Sequence, residues 1–148
     1  MPRYVLDTQH FIDLLRDRPA ADGVLRFVRD FVAALDFHAL VGAELLLGAR
    51  GRRELTAIRQ RLIDRFKPHR IIALDAGDLL AAGDVIRDMA EKWGPTPELE
   101  RRGFWNDVLI AVSCRRRGVV LLSRDPDHRR IAPFVGHSFS ATFHSRNS

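Results

Sequence analysis

The stretch FWNDVLIAVSCRRRGVVLLSRDPDH, residues 104–128, decides the architecture. Phe104 to Arg117 carries a long apolar run closed by three arginines, and its length and composition predict a helix. Gly118 is the expected stop. Val119 to Ser123 then has no polar position before its last residue, the pattern of a strand buried on both faces of a parallel sheet. A helix delivered straight into a buried strand, followed by the turn RDPD, is the signature of an alternating α/β chain.

Working outward, RYVLD at residues 3–7 reads as another short buried strand, and Phe11, Leu14 and Leu15 recur at helical spacing after it. RDRPAAD connects to a second helix, Gly23 to about Ala34, with Asp22 as its expected cap. A brief strand is expected near Ala34–Phe37, then a helix over HALVGAELLLGAR ending near Gly48 or Gly51. Glu54–Arg65 predicts an arginine-studded helix, RIIAL a strand, and Asp75 or Asp78 the start of a helix running to Lys92. WGPTPELERRG is a loop. A short helix follows Pro126, and VGHSFSATF is expected to give a last edge strand. Together these elements predict a three-layer α/β/α fold with a central, mainly parallel sheet of four to five strands. Residues 1–141 are expected to form one domain and 142–148 a flexible C-terminal tail.

Composition narrows the class of protein. The chain has 148 residues, 46% hydrophobic and 29% charged, enough for one domain with a real core. No apolar run approaches the ~20 residues that span a bilayer, and MPRYVLD does not read as a signal peptide, so the expectation is a cytoplasmic protein with no membrane partner. A single cysteine, Cys114, excludes an internal disulfide framework and an all-cysteine metal site. The net charge is +5, and every basic residue except Lys67 and Lys92 is arginine. Arginine forks onto phosphate, which suits a nucleic-acid partner, although GC-rich coding would produce the same bias.

Four acids stand out. Asp7 ends a buried strand and Asp125 follows another, at the strand ends where open α/β sheets bind ligands. Glu44 and Asp107 lie in apolar helical surroundings, where an ionised carboxylate is expensive unless paired or bound to a metal. Each has a plain structural reading: Asp7 as a helix cap, Asp107 as a first-turn acid, Glu44 with a buried arginine, Asp125 as a turn residue. Taken together they point to a hard cation such as Mg²⁺ or Mn²⁺, which prefers oxygen ligands, and to phosphodiester hydrolysis. Asn106 beside Asp107 could orient a ligand, and a helix-start role suits it as well. The six histidines show no H-x-H or H-E-x-x-H spacing and none is assigned to a metal; His10 and His128 lie close to acids. Arg115–Arg117 fit a favourable helix C-terminus, and Arg50, Arg52, Arg53, Arg59 and Arg61 a solvated basic face. Trp93 and Trp105 fit packing better than base stacking.

The ordered elements VLDTQHFIDLL, VGAELLLGAR and NDVLIAVSCRRRGVVLLSRDPDH resemble PIN-domain nucleases, particularly the VapC-type toxins of toxin–antitoxin pairs, over about residues 3–135. The resemblance implies a metal-dependent endoribonuclease with RNA as substrate, a cognate antitoxin as partner and a homodimeric state. It matches Asp7, Glu44, Asp107 and Asp125 to the family's acidic positions around Mg²⁺ or Mn²⁺, and Ser123 to its small hydroxyl residue. Thr8, Asn106, Ser123, Arg124 and Asp127 are then candidates for orienting ligands or substrate. The chain departs from the family pattern at Gln9, Ala39 and His128, where asparagine, a hydroxyl residue and phenylalanine are usual. The competing reading is a non-catalytic RNA- or protein-binding module on the same fold. A phosphotransfer domain is disfavoured, because Gln9 breaks a D-x-D pair and no lysine follows Lys92.

Overall fold

The structure is a computed structural model that describes residues 2–143. Five parallel strands form one sheet: β1 (Arg3–Leu6), β2 (Leu35–His38), β3 (Ile71–Ile72), β4 (Val119–Leu122) and β5 (Phe139–Ser140), in spatial order β3-β2-β1-β4-β5. β1 is central. Tyr4 stands opposite Leu35 on one side and Val120 on the other. Burial on both faces explains why β1 and β4 read as unbroken apolar runs.

Among the described residues, seven α-helices flank the sheet: α1 (Thr8–Leu15), α2 (Ala21–Phe31), α3 (Ala39–Leu47), α4 (Gly51–Ala57), α5 (Ala76–Trp93), α6 (Arg102–Arg117) and α7 (Asp127–Val135). This is the three-layer α/β/α arrangement that the element pattern predicts. α1 packs on α2 and α3, and α6 packs between α5 and α7. α6 is apolar nearly all round because it serves two cores. Its Ile110 and Cys114 join Val5, Leu6 and Leu121 beneath the sheet. Its Phe104, Val108 and Val112 join Met89 of α5 and Ile131 of α7. No described helix is long and apolar enough to cross a membrane.

Local signals act mostly as expected. Gly118 ends α6 at φ 65°, a left-handed conformation that glycine adopts without Cβ strain. Asp75 caps α5 in a reciprocal box with Asp78. Three expectations need correction. Asp22 does not cap α2; the helix begins one residue earlier at Ala21, and Asp22 sits in its first turn. The predicted regular helix over Glu54–Arg65 is instead α4 followed by a π-turn at Ile58–Leu62 and a 3₁₀ turn at Ile63–Arg65. The wider turn lets Ile58, Leu62 and Ile63 all pack on the sheet core. The RIIAL strand shrinks to Ile71–Ile72, an edge strand paired on one side only, because the chain turns at once into the Asp75 cap.

At the C-terminus the Phe143 ring lies against Phe27, with centroids 5.0 Å apart, and against His10. The remainder of the expected tail, residues 144–148, lies outside the described residues.

Candidate metal centre

The carboxyl ends of β1 and β4 are adjacent in the sheet, so the residues that follow them meet. Asp7 begins as the expected helix cap: its Oδ1 accepts the Thr8 backbone N–H at 2.8 Å. Its Oδ2 accepts the Ser123 hydroxyl at 2.5 Å. The cap and the site wall are therefore one residue doing both. Ser123 is buried, and its Oγ also accepts the Asp125 backbone N–H at 3.1 Å, which ties the turn after β4 to the end of β1. Asp125 Oδ1 in turn accepts the Asp127 N–H at 2.9 Å and shapes the start of α7.

Glu44 reaches the same place from α3. No buried arginine holds it. Thr8 Oγ1 donates to its Oε1 at 3.1 Å, and the nearby Asn106 side chain also favours its charged form. Asp107 arrives from the first turns of α6. Asp7, Glu44, Asp107 and Asp125 line a single open cleft of about 520 Å³, with Thr8 and Arg124 on its rim. Carboxylate oxygens of Asp107, Asp125 and Asp127 come within 4.8 Å of one another. Oxygens of Asp7 and Asp107 lie equally close to a nitrogen of His128.

The electrostatics follow from that crowding. Burial, then the charges of Asp125, Asp7, Glu44 and Asp127, pushes the Asp107 carboxyl up to about 8. Burial also raises Glu44, against the Thr8 hydrogen bond that favours its charged form. A carboxyl raised that far favours its protonated form at neutral pH, and a bound cation would displace that proton. Oxygen donors in this number, with none of Asp7, Glu44, Asp107 and Asp125 ion-paired to an arginine among the described residues, fit a hard divalent ion.

The remaining candidates divide clearly. Arg124 is held by an ion pair to Asp13, a buried acid that sequence reasoning missed. Gln9 Nε2 donates to Asp13 Oδ1 at 3.0 Å, and that i, i+4 spacing was the legible signal. Asp127 accepts from Arg101 at 3.4 Å. Arg116 and Arg117 do more than favour a helix end: both pair with Asp78 beneath the α5 cap. Trp93 and Trp105 pack, Trp93 against Phe134 and Trp105 through a hydrogen bond to the Leu99 carbonyl. His128, assigned to no metal from sequence, is fully buried with its Nε2 3.9 Å from Asp7 Oδ2. Its Nδ1 is 3.1 Å from Nε2 of buried His137. Burial lowers the pKa of both rings, His137 to about 4, and so disfavours their charged forms.

A family model described as the PIN domain matches residues 4–133. Among solved structures, FitAcB from Neisseria gonorrhoeae superposes with a TM-score of 0.71 at 19% identity, covering 96% of this chain and 99% of that one. DNA-bound VapBC from Salmonella typhimurium superposes at 0.69 and 19% identity, covering 95% and 98%. VapBC2 from Rickettsia felis, bound to a promoter DNA fragment, superposes at 0.68 and 16% identity, covering 93% and 96%. At these identities the likeness is one of fold. No curated protein matches the chain significantly.

Proposed function

The chain belongs to the PIN-domain family, and from that premise we propose that it is a metal-dependent endoribonuclease and the toxin member of a toxin–antitoxin pair. The observation that carries the reading is the cleft itself, where four carboxylates converge and, among the described residues, none is ion-paired to an arginine. A structural acid cluster of that kind would be costly, whereas one that binds a dication is complete. Mg²⁺ or Mn²⁺, when bound, supplies an activated water and neutralises charge on the phosphate under attack.

The protein's own groups have separable tasks. Asp7, Glu44, Asp107 and Asp125 hold the ion. Ser123 and the Thr8 N–H fix the rotamer of Asp7, and the Thr8 hydroxyl and Asn106 fix Glu44. Asp127 braces the turn that carries Asp125. Arg124, steadied by Asp13, stands at the rim where an RNA phosphate would approach. The similar structures are VapBC and FitAB assemblies, and on that likeness we take a cognate antitoxin as partner. Homodimerisation and a cytoplasmic location belong to the same reading.

The test is cleavage of a structured-RNA pool by purified protein with Mg²⁺ or Mn²⁺, with and without EDTA, beside Asp7→Asn. Asparagine also caps helices, so the variant keeps α1 while losing the charge. Metal-dependent cleavage that the variant lacks supports the nuclease. Tight RNA binding without cleavage, unchanged by metal, would move the chain to a binding role.

A further inference from the structure

Two buried imidazoles lie behind the acid cluster, and packing does not account for them. Both are almost wholly withdrawn from water, His128 at 0% and His137 at 6% exposure. Their rings meet edge to face, and both lie against Phe139. They share one hydrogen bond, His128 Nδ1 to His137 Nε2 at 3.1 Å. The two outer nitrogens, His128 Nε2 and His137 Nδ1, have no hydrogen-bond partner among the described residues. Buried polar atoms left in that state are costly. His128 Nε2 is not aimed at a wall of the core. It faces Asp7 Oδ2 at 3.9 Å, and a ring nitrogen of His128 lies within 4.8 Å of a carboxylate oxygen of Asp107.

We propose that His128 supplies an imidazole nitrogen to the metal centre beside Asp7 and Asp107, with His137 holding it in the ligating tautomer, so that the site favours Mn²⁺ over Mg²⁺. The proposal rests on the metal-dependent reading above and sharpens it. Ligands on one ion, each about 2.1 Å from it, lie about 3.0 Å apart when adjacent and about 4.2 Å apart when opposite. The 3.9 Å between His128 Nε2 and Asp7 Oδ2 is nearest the opposite spacing, so a small shift of either side chain would let both bind one ion. Asp7 keeps lone pairs for an ion while accepting from Thr8 and Ser123.

The tautomer argument links the second histidine to the first. If His128 Nδ1 donates its proton to His137 Nε2, the lone pair of His128 Nε2 points at the carboxylates. That is the arrangement of metal-bound histidines in general, whose other ring nitrogen donates to a fixed acceptor. The chemistry then sets the preference. Mg²⁺ is a hard ion satisfied by oxygen and water, whereas imidazole suits first-row transition ions. A site of carboxylates alone would discriminate little between Mg²⁺ and Mn²⁺; adding one nitrogen tilts it to Mn²⁺.

The experiment titrates Mn²⁺ and Mg²⁺ separately into metal-stripped protein by calorimetry, for wild type, His128→Phe and His137→Phe. Pulsed electron paramagnetic resonance of the Mn²⁺-loaded wild type then looks for ¹⁴N modulation. The expected result is ¹⁴N coupling in wild type and a preference for Mn²⁺ of roughly tenfold or more. His128→Phe should lose both while still binding Mg²⁺, and His137→Phe should weaken Mn²⁺ by a smaller factor. The wild-type spectrum keeps the test decisive if a variant fails to fold. Mn²⁺ bound without ¹⁴N coupling overturns the role of His128 and leaves the metal reading standing. Binding of neither ion overturns both.

Discussion

Helix α6 carries one buried acid problem near each end, and the two are solved in opposite ways. At its C-terminal end Arg116 and Arg117 reach Asp78, which is fully buried. Burial alone would raise that carboxyl, but Arg117, the Asp75 backbone N–H and Arg116 hold it well below the usual carboxylate range. Arg117 grips it with two nitrogens, each at 2.9 Å. Gly77 leaves room for the other arginine, since a Cβ there would fall 2.3 Å from Arg116 Nη2. Near its N-terminal end the same helix presents Asp107 to four more acids, and its carboxyl rises to about 8. Both ends gather acids at the start of a helix. The difference is whether the protein supplies the counter-charge itself. Where it does, the cluster is structure; where it does not, the cluster is the one we propose to receive a cation.

Breaking the receptor end should have the largest effect. Asp107→Asn is expected to lower metal-dependent RNA cleavage by at least ~100-fold, beyond what loss of a supporting group costs. The metal-free variant should melt no lower than wild type, because a destabilising charge has gone. A cleavage rate within a few-fold of wild type would remove Asp107 from the site.

The structural end should respond the other way. Asp78→Asn leaves two arginines short of their acceptor and should cost about 2–3 kcal/mol, since both guanidiniums keep some solvent. Read by denaturant midpoint, a change below about 0.5 kcal/mol would show that Asp78 is dispensable. Mg²⁺ should not rescue the loss.

The pH dependence separates the two ends further. Asp107 has a raised pKa, so the folded state holds a proton that the unfolded chain has already released, and stability falls as pH rises towards about 8. Buried His38 and His137, both lowered to about 4, act oppositely, adding stability as pH rises towards the unfolded value near 6.5. The metal-free protein should therefore be most stable near pH 6.5 and lose roughly 1 kcal/mol by pH 8, about 2–4 °C in Tm. Saturating Mn²⁺ or the Asp107→Asn change should flatten that decline. A Tm that still climbs from pH 6.5 to 8 in metal-free wild type would contradict the acid cluster as the source.

The smallest effect is expected at the rim. Arg124→Gln should raise KM for RNA several-fold with little change in kcat, and should reduce the salt dependence of binding by about one phosphate contact. An unchanged salt slope would show that Arg124 serves Asp13 alone.

Much of this was readable before any coordinates. Val119–Leu122 and Tyr4–Leu6 announce buried parallel strands because a strand covered on both faces has no polar positions to show. Gly118 and Asp75 mark helix ends through requirements that are local to the backbone. The π-turn at Ile58–Leu62 was not readable, since it exists to seat Leu62 and Ile63 against a sheet that lies elsewhere in the chain. Asp13 was missed because its partner Arg124 is 111 residues away. Arg116 and Arg117 were under-read for the same reason, their acids lying on α5.

The sequence by itself determined the order of strands and helices along the chain, several of their ends, and the candidacy of four acids, because propensity, capping and periodicity act within a few residues. Tertiary structure alone decided which charges meet. It joined Asp7 to Ser123 across 116 positions, left Asp107 without an arginine, and set a buried histidine pair behind the acids. Coulomb energy and desolvation depend on distance and burial in space, and the order of residues along the chain carries neither.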